Sequence, residues 1–222
     1  MSSDHRPDGD ARRHFGVYPA IVTDIVDRQP LGRIEVRFPW LGKELGGQDF
    51  RAWATLCTPY ADADQGLQIL PAVDTQVIVA FEAGVLQRPY IIGSCWNGKE
   101  PLPVTPEAAN NKRTWKSRAG SVIEFDDTER AAKVTVSMQS GHRLELDDAA
   151  QQVTLTHENG SRITFTAGQQ IQIEAHGTVE ITAPSLNVHA ASAVFDGGIS
   201  CLSVTTNSVT SALYSIGAGN IW

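Results

Sequence analysis

Between Gly120 and His189 the chain repeats one small pattern, two apolar residues separated by a single polar one. The pairs are Ile123/Phe125, Val134/Val136, Leu144/Leu146, Val153/Leu155, Ile163/Phe165, Ile171/Ile173, Val179/Ile181 and Leu186/Val188. Successive side chains on a strand point to opposite faces, so each pair predicts a short strand with one buried and one wet face. The step from one pair to the next is 11, 10, 9, 10, 8, 8 and 7 residues. Strands with two inward side chains each cannot close a core alone, and a row of them leaves open edges. Repeat architectures bury a core only by stacking units. The pattern therefore predicts an intertwined β-prism of three identical chains with alternating strands, these apolar residues on its axis. The shrinking step makes the prism taper toward the C-terminal end.

Upstream the signals differ. Candidate strands at 17–26, 33–38, 52–58, 75–82 and 89–95 are separated by turn material such as Gln29-Pro30-Leu31-Gly32 and Gly46-Gly47. Five strands in this span, without an amphipathic helix, predict a small closed barrel of the OB type. Residues 1–14 read as a flexible arm, 15–98 as the barrel domain and 99–119 as a Pro-rich, partly basic linker. After Asp196 no charged side chain occurs, so 197–222 reads as an uncharged tip of Ser, Thr, Ala, Gly and Asn with scattered larger residues.

Composition excludes several classes. At 222 residues one or two domains are expected, and 41% apolar content suffices for a folded chain. Net charge is −7, split −3 over residues 1–100 and −4 over the rest, which leaves no basic excess for a phosphate backbone. The barrel's aromatics Trp53, Phe81, Tyr90 and Trp96 are assigned to a core or a subunit interface, so no nucleic-acid partner is expected. The first fifteen residues hold no apolar run, which predicts cytoplasmic synthesis without a signal peptide. Three cysteines without metal-ligand spacing read as small buried hydrophobes.

An ordered series of motifs resembles the phage baseplate assembly protein V family, the spikes of contractile injection systems. It runs through Phe15-Gly16-Val17-Tyr18, Leu31-Gly32-Arg33-Ile34-Glu35-Val36-Arg37-Phe38-Pro39, Thr58-Pro59-Tyr60, Val77-Ile78-Val79-Ala80-Phe81-Glu82-Ala83-Gly84 and Arg88-Pro89-Tyr90-Ile91-Ile92-Gly93. Gly120–Asp127 and Gly141–Asp148 are similar to the start of that family's needle. The resemblance implies an all-β fold, an N-terminal OB-fold barrel followed by an intertwined homotrimeric triple-stranded β-helix needle over 120–196. It implies a non-enzymatic, membrane-piercing spike, part of an assembled phage-tail-like particle that is possible in released, extracellular form. Its expected partners are a separate hub protein, a PAAR-repeat tip protein and, transiently, the target membrane. The hub is expected to be a separate polypeptide rather than a domain before the barrel, and the linker is expected to be too short for the lysozyme domain of some phage spikes. The family's iron-binding His-x-His pair is not matched, since Ala190 and Ala191 follow His189.

Single residues are weighed on the same basis. No nucleophile signature is present, so no catalytic residue and no cofactor are assigned. On the two-residue phase His142, His176 and His189 are read as outward. His157 falls in phase with Val153 and Leu155, and would be an axial ion site only if three copies met there. Asp126-Asp127 and Asp147-Asp148 read as strand ends and turn starts rather than calcium ligands. Lys112, Arg113, Lys116 and Arg118 are candidate hub contacts or a solvated linker. Tyr214, Ile216, Ile221 and Trp222 are candidate tip-partner contacts. The rival class is a tail-fibre or adhesin shaft with a receptor-binding C-terminus, which the shrinking step and small-residue end argue against.

Overall fold

The computed structural model describes residues 13–43, 47–208 and 210. The described residues fall into two compact units, one up to residue 174 and the other from 175 onward.

The first unit opens with β1 (Val17–Asp24), β2 (Arg33–Arg37), β3 (Arg51–Leu56), the short β4 (Ala61–Asp62) and β5 (Gln65–Gly66), β6 (Gln76–Phe81) and β7 (Pro89–Ser94). Five of these close a barrel in the order β1-β2-β3-β7-β6, antiparallel throughout except where β3 runs parallel to β7. The expected all-β barrel is present. Alternate residues point inward: Ala20 and Val22, Ile34 and Val36, Val77, Val79 and Phe81, with Phe38, Ala54 and Ile91 completing a buried core. Bulges between Val22 and Asp24 and between Ile78 and Val79 supply the local bends that closure needs.

Details of the barrel differ from the sequence reading. Arg13 and His14, placed in the arm, dock on the barrel: Arg13 Nη1 donates to the Ala83 carbonyl at 3.0 Å and the His14 amide to that of Gly84 at 2.9 Å. The His14 ring sits among Tyr18, Trp40 and Phe81. Of the four aromatics assigned to a core or a subunit interface, Phe81 lies in the core. Trp53 faces out beneath the Arg33 guanidinium, and Tyr90 and Trp96 are exposed. Cys57, Cys95 and Cys201 are exposed rather than buried. Cys57 and Cys95 each follow the last residue of a barrel strand, where the wall no longer covers them.

The second part of this unit is a seven-stranded antiparallel meander. It comprises β8 (Lys112–Lys116), β9 (Val122–Asp126), β10 (Lys133–Ser137), β11 (Arg143–Asp147), β12 (Gln152–Thr156), β13 (Arg162–Phe165) and β14 (Ile171–Glu174). Strand length falls from five residues in β8–β12 to four in β13 and β14, in line with the shortening step. One end of the meander uses the same turn three times. Ser117, Met138 and His157 each donate a backbone N–H to the residue four ahead, and Gly120, Gly141 and Gly160 supply the positive φ. These are three-residue hairpin loops with glycine in the left-handed position.

Two expectations are corrected here. Lys112–Lys116, read as linker, is a strand. Its basic residues masked a Thr114-Trp115 core that pairs with Glu124 and Ile123. Second, from β8 to β14 each strand's neighbour is the next strand of the same chain, so strands of different chains do not alternate in this ladder. Among the described residues beyond Glu174 the single chain forms no strand, and Val179, Ile181, Leu186 and Val188 are exposed in it.

Candidate functional site: an open apolar face on the meander

Register decides what the meander presents. Ile123, Val136, Leu144, Leu155, Ile163 and Ile173 are cross-strand partners in turn, one column running the length of the ladder. Phe125, Val134, Leu146, Val153, Phe165 and Ile171 form a second column beside it. The alternation that reads as pairs in the sequence thus becomes two unbroken apolar rows on one face. No described residue of the unit covers them: Phe125 and Phe165 are each 49% exposed, Leu155 53% and Ile171 65%. A contiguous apolar surface of this kind marks an interaction site rather than a solvated one.

Sequence reasoning missed the extension of this face. Trp115 pairs with Ile123 and is 56% exposed, so the first column starts one strand earlier, and Arg113 stands opposite Phe125 in the second. Trp115 precedes Ile123 by eight residues, within the range of the repeat, and that spacing was the available signal.

The opposite face is polar and paired. One row across the first strands reads Lys112, Asp126, Lys133, Asp147, alternating in sign. Lys133 Nζ lies 2.8 Å from Asp147 Oδ2. The Lys133 hydrogen bond, with the Ala150 amide behind it, holds the Asp147 carboxyl below its ordinary value, and Asp147 in turn raises Lys133. Asp126 is also lowered, first by the Thr128 hydroxyl, then by the Thr128 amide, with Lys112 and Lys133 adding charge. The middle row alternates hydroxyls and carboxylates: Thr114 Oγ1 donates to Glu124 Oε2 at 3.0 Å, and Glu145 contacts Arg143. Farther along, Arg162 pairs with Glu174 at 2.8 Å. This face thus carries its own charge and hydrogen-bond partners, with Thr164 of the middle row buried.

The remaining candidates fall as follows. Lys112, Arg113 and Lys116 line the edge strand β8 and Arg118 its following turn, all exposed. Lys112 also faces Glu124 at 3.8 Å. Val179, Ile181, Leu186 and Val188 lie in the second unit. Tyr214, Ile216, Ile221 and Trp222 lie outside the described residues. His142, read as outward, shares its phase with Leu144 and Leu146. It stands beside His157, ring centroids 4.5 Å apart, at the turn end of the apolar face.

Comparison with known proteins adds an independent line. The family described as the type VI secretion system/phage-baseplate injector OB domain matches residues 18–96, the barrel. Type VI secretion system spike protein VgrG1a of Pseudomonas aeruginosa is 21% identical over 211 residues, covering 72% of this chain and 33% of its own length. VgrG1b of the same organism is 22% identical over 125 residues, 53% of this chain and 17% of its own. The chain therefore spans a third or less of the length of these spike proteins. The barrel thus matches the injector OB domain over residues 18–96, and the chain is similar at low identity to these spike proteins.

Proposed function

We propose that the chain is a structural, membrane-piercing spike at the tip of a contractile injection system or phage tail tube. Three copies assemble with their meanders as the three sides of a prism, apolar rows inward and charged rows outward. The single observation that carries this reading is the two-column apolar face, uncovered within its own unit, on a chain with an injector OB domain. Covering the exposed half of a Leu- or Ile-sized side chain is worth about 1 kcal/mol, so the face supplies on the order of 10 kcal/mol per chain toward assembly. The strands stack about 4.8 Å apart, which gives a seven-strand ladder a length of about 29 Å. Its interstrand hydrogen bonds would then run along the needle, the direction in which force is delivered.

In this reading the residues beyond Glu174 continue the needle as a triple-stranded β-helix, pairing between chains. A separate hub protein sits on the barrel side, a PAAR-repeat protein caps the tip, and the target membrane is met only during piercing. The work is mechanical and requires neither a cofactor nor catalysis. The chain is made in the cytoplasm and exported as part of the particle.

Electron microscopy of contractile particles from cells with and without the gene tests the role. Spike density at the tube tip and delivery into target cells should both be lost on deletion. Complete, active particles without the protein would overturn the proposal.

A further inference from the structure

We propose that the turn end of the apolar face holds a divalent transition-metal site of the zinc class, one per chain. This inference rests on residues within a single chain, at the end of the face that the proposed prism turns inward. The ligands are His142, His157 and Glu158, whose donor atoms all lie within 4.8 Å of one another. The topology builds this cluster. Arg143 and Thr156 are the last paired residues of β11 and β12, so His142 and His157 stand opposite one another one position farther on. Both share the phase of the apolar columns, which sets their rings side by side. Glu158 is brought in by the next turn: a side-chain carbon at Gly141 would lie 3.6 Å from the Glu158 Cα. Its Oε2 is 3.7 Å from His142 Nε2.

Two imidazoles and a carboxylate suit zinc or a neighbouring first-row ion and do not suit calcium or magnesium, which take all-oxygen shells. Ligand atoms at 2.0–2.1 Å from a tetrahedral ion stand about 3.4 Å apart, so the three side chains need close by little more than 1 Å. They are partly solvent-exposed, and rotation about their side-chain bonds supplies that movement. The cost is the contact in which the Asn159 amide donates to His157 Nδ1 at 3.2 Å, a long bond on an exposed turn. Water takes the fourth position. The bound ion ties the turn at 138–142 to the turn at 157–161, fastening the ends of two neighbouring hairpins.

The test uses the full-length protein, stripped with chelator and titrated with zinc chloride at neutral pH by calorimetry, with cobalt as a spectroscopic probe. The expected result is one zinc per chain, intense visible bands of four-coordinate cobalt and a melting temperature raised by zinc. H142A and H157A should each weaken zinc more than about 10-fold and lose the thermal shift, while H189A should behave as the parent. Absence of saturable uptake, or a cobalt spectrum matching the aqueous ion, would overturn the proposal. So would one ion per three chains, which would put the ligands on a shared axis. Undiminished zinc affinity in both H142A and H157A would do the same. Because the stoichiometry and the cobalt bands are read on the unsubstituted protein, the proposal stays testable if a variant fails to fold.

Discussion

Leu155 lies mid-column on the apolar face, between Leu144 and Ile163, with half its surface open. Leu155→Asp should abolish assembly, because an ionised carboxylate taken out of water without a partner costs several kcal/mol and three would converge. Thr156→Asp, one residue on, points to the other face between Arg143 and Arg162 and should assemble normally. Sedimentation of the two variants reads this directly, and normal assembly of Leu155→Asp would show that the face is not buried. On the polar face the acid response is set by carboxylates. Asp126 and Asp147 both titrate below the ordinary 3.8. Their stabilisation is present above that value and is lost as the pH falls through the lower folded value. Lys133, raised above 10.5, contributes below that pH and is lost on the alkaline side. Asp147→Asn should therefore flatten the acid limb of a stability–pH curve measured below about pH 4, leaving the shape at neutral pH unchanged. An acid limb identical to the parent's would remove the Lys133–Asp147 pair from the account.

At the scale of elements, the repeated glycine turn is what holds the meander in register. Gly120 has φ +82°, and a side-chain carbon there would meet the Gln139 amide oxygen at 3.1 Å. Gly120→Ala should cost about 1–2 kcal/mol through the strained backbone, read as a lowered unfolding midpoint. Gly177→Ala meets nothing within 4 Å and should leave the midpoint in place. An unchanged midpoint for Gly120→Ala would mean the turn tolerates another geometry. Elements were also where the sequence was most legible. Strands β1, β2, β3, β6 and β7 and the six from β9 to β14 all lie where alternation places them, because half-buried strands write their phase into every second residue. Strand β8 was obscured because its apolar content is the lone Trp115 among Lys and Arg, which reads as linker until its partner strand is known. His142 was misjudged because a polar residue at a turn was not counted in the phase of the leucines it follows. Hydrogen-bond partnership was not legible at all: alternation states which face a residue takes, not whether the neighbouring strand belongs to the same chain.

At the scale of the whole molecule, one unit contains both a conventional core and an uncovered one. The barrel buries its alternate residues within the chain, and the meander displays its own. If three meanders close on one another, separating them exposes every row together, which gives a high barrier to dissociation and kinetic stability. The assembly should then persist in unheated detergent gels and collapse to single chains on boiling. Single chains before heating would count against a closed prism.

The central claim is that the apolar face of the meander is covered by two further copies of the chain. Native mass spectrometry of the purified protein at micromolar concentration measures this directly. The account predicts one species at three times the chain mass of 24.0 kDa. A stable 24.0 kDa monomer under the same conditions would contradict it.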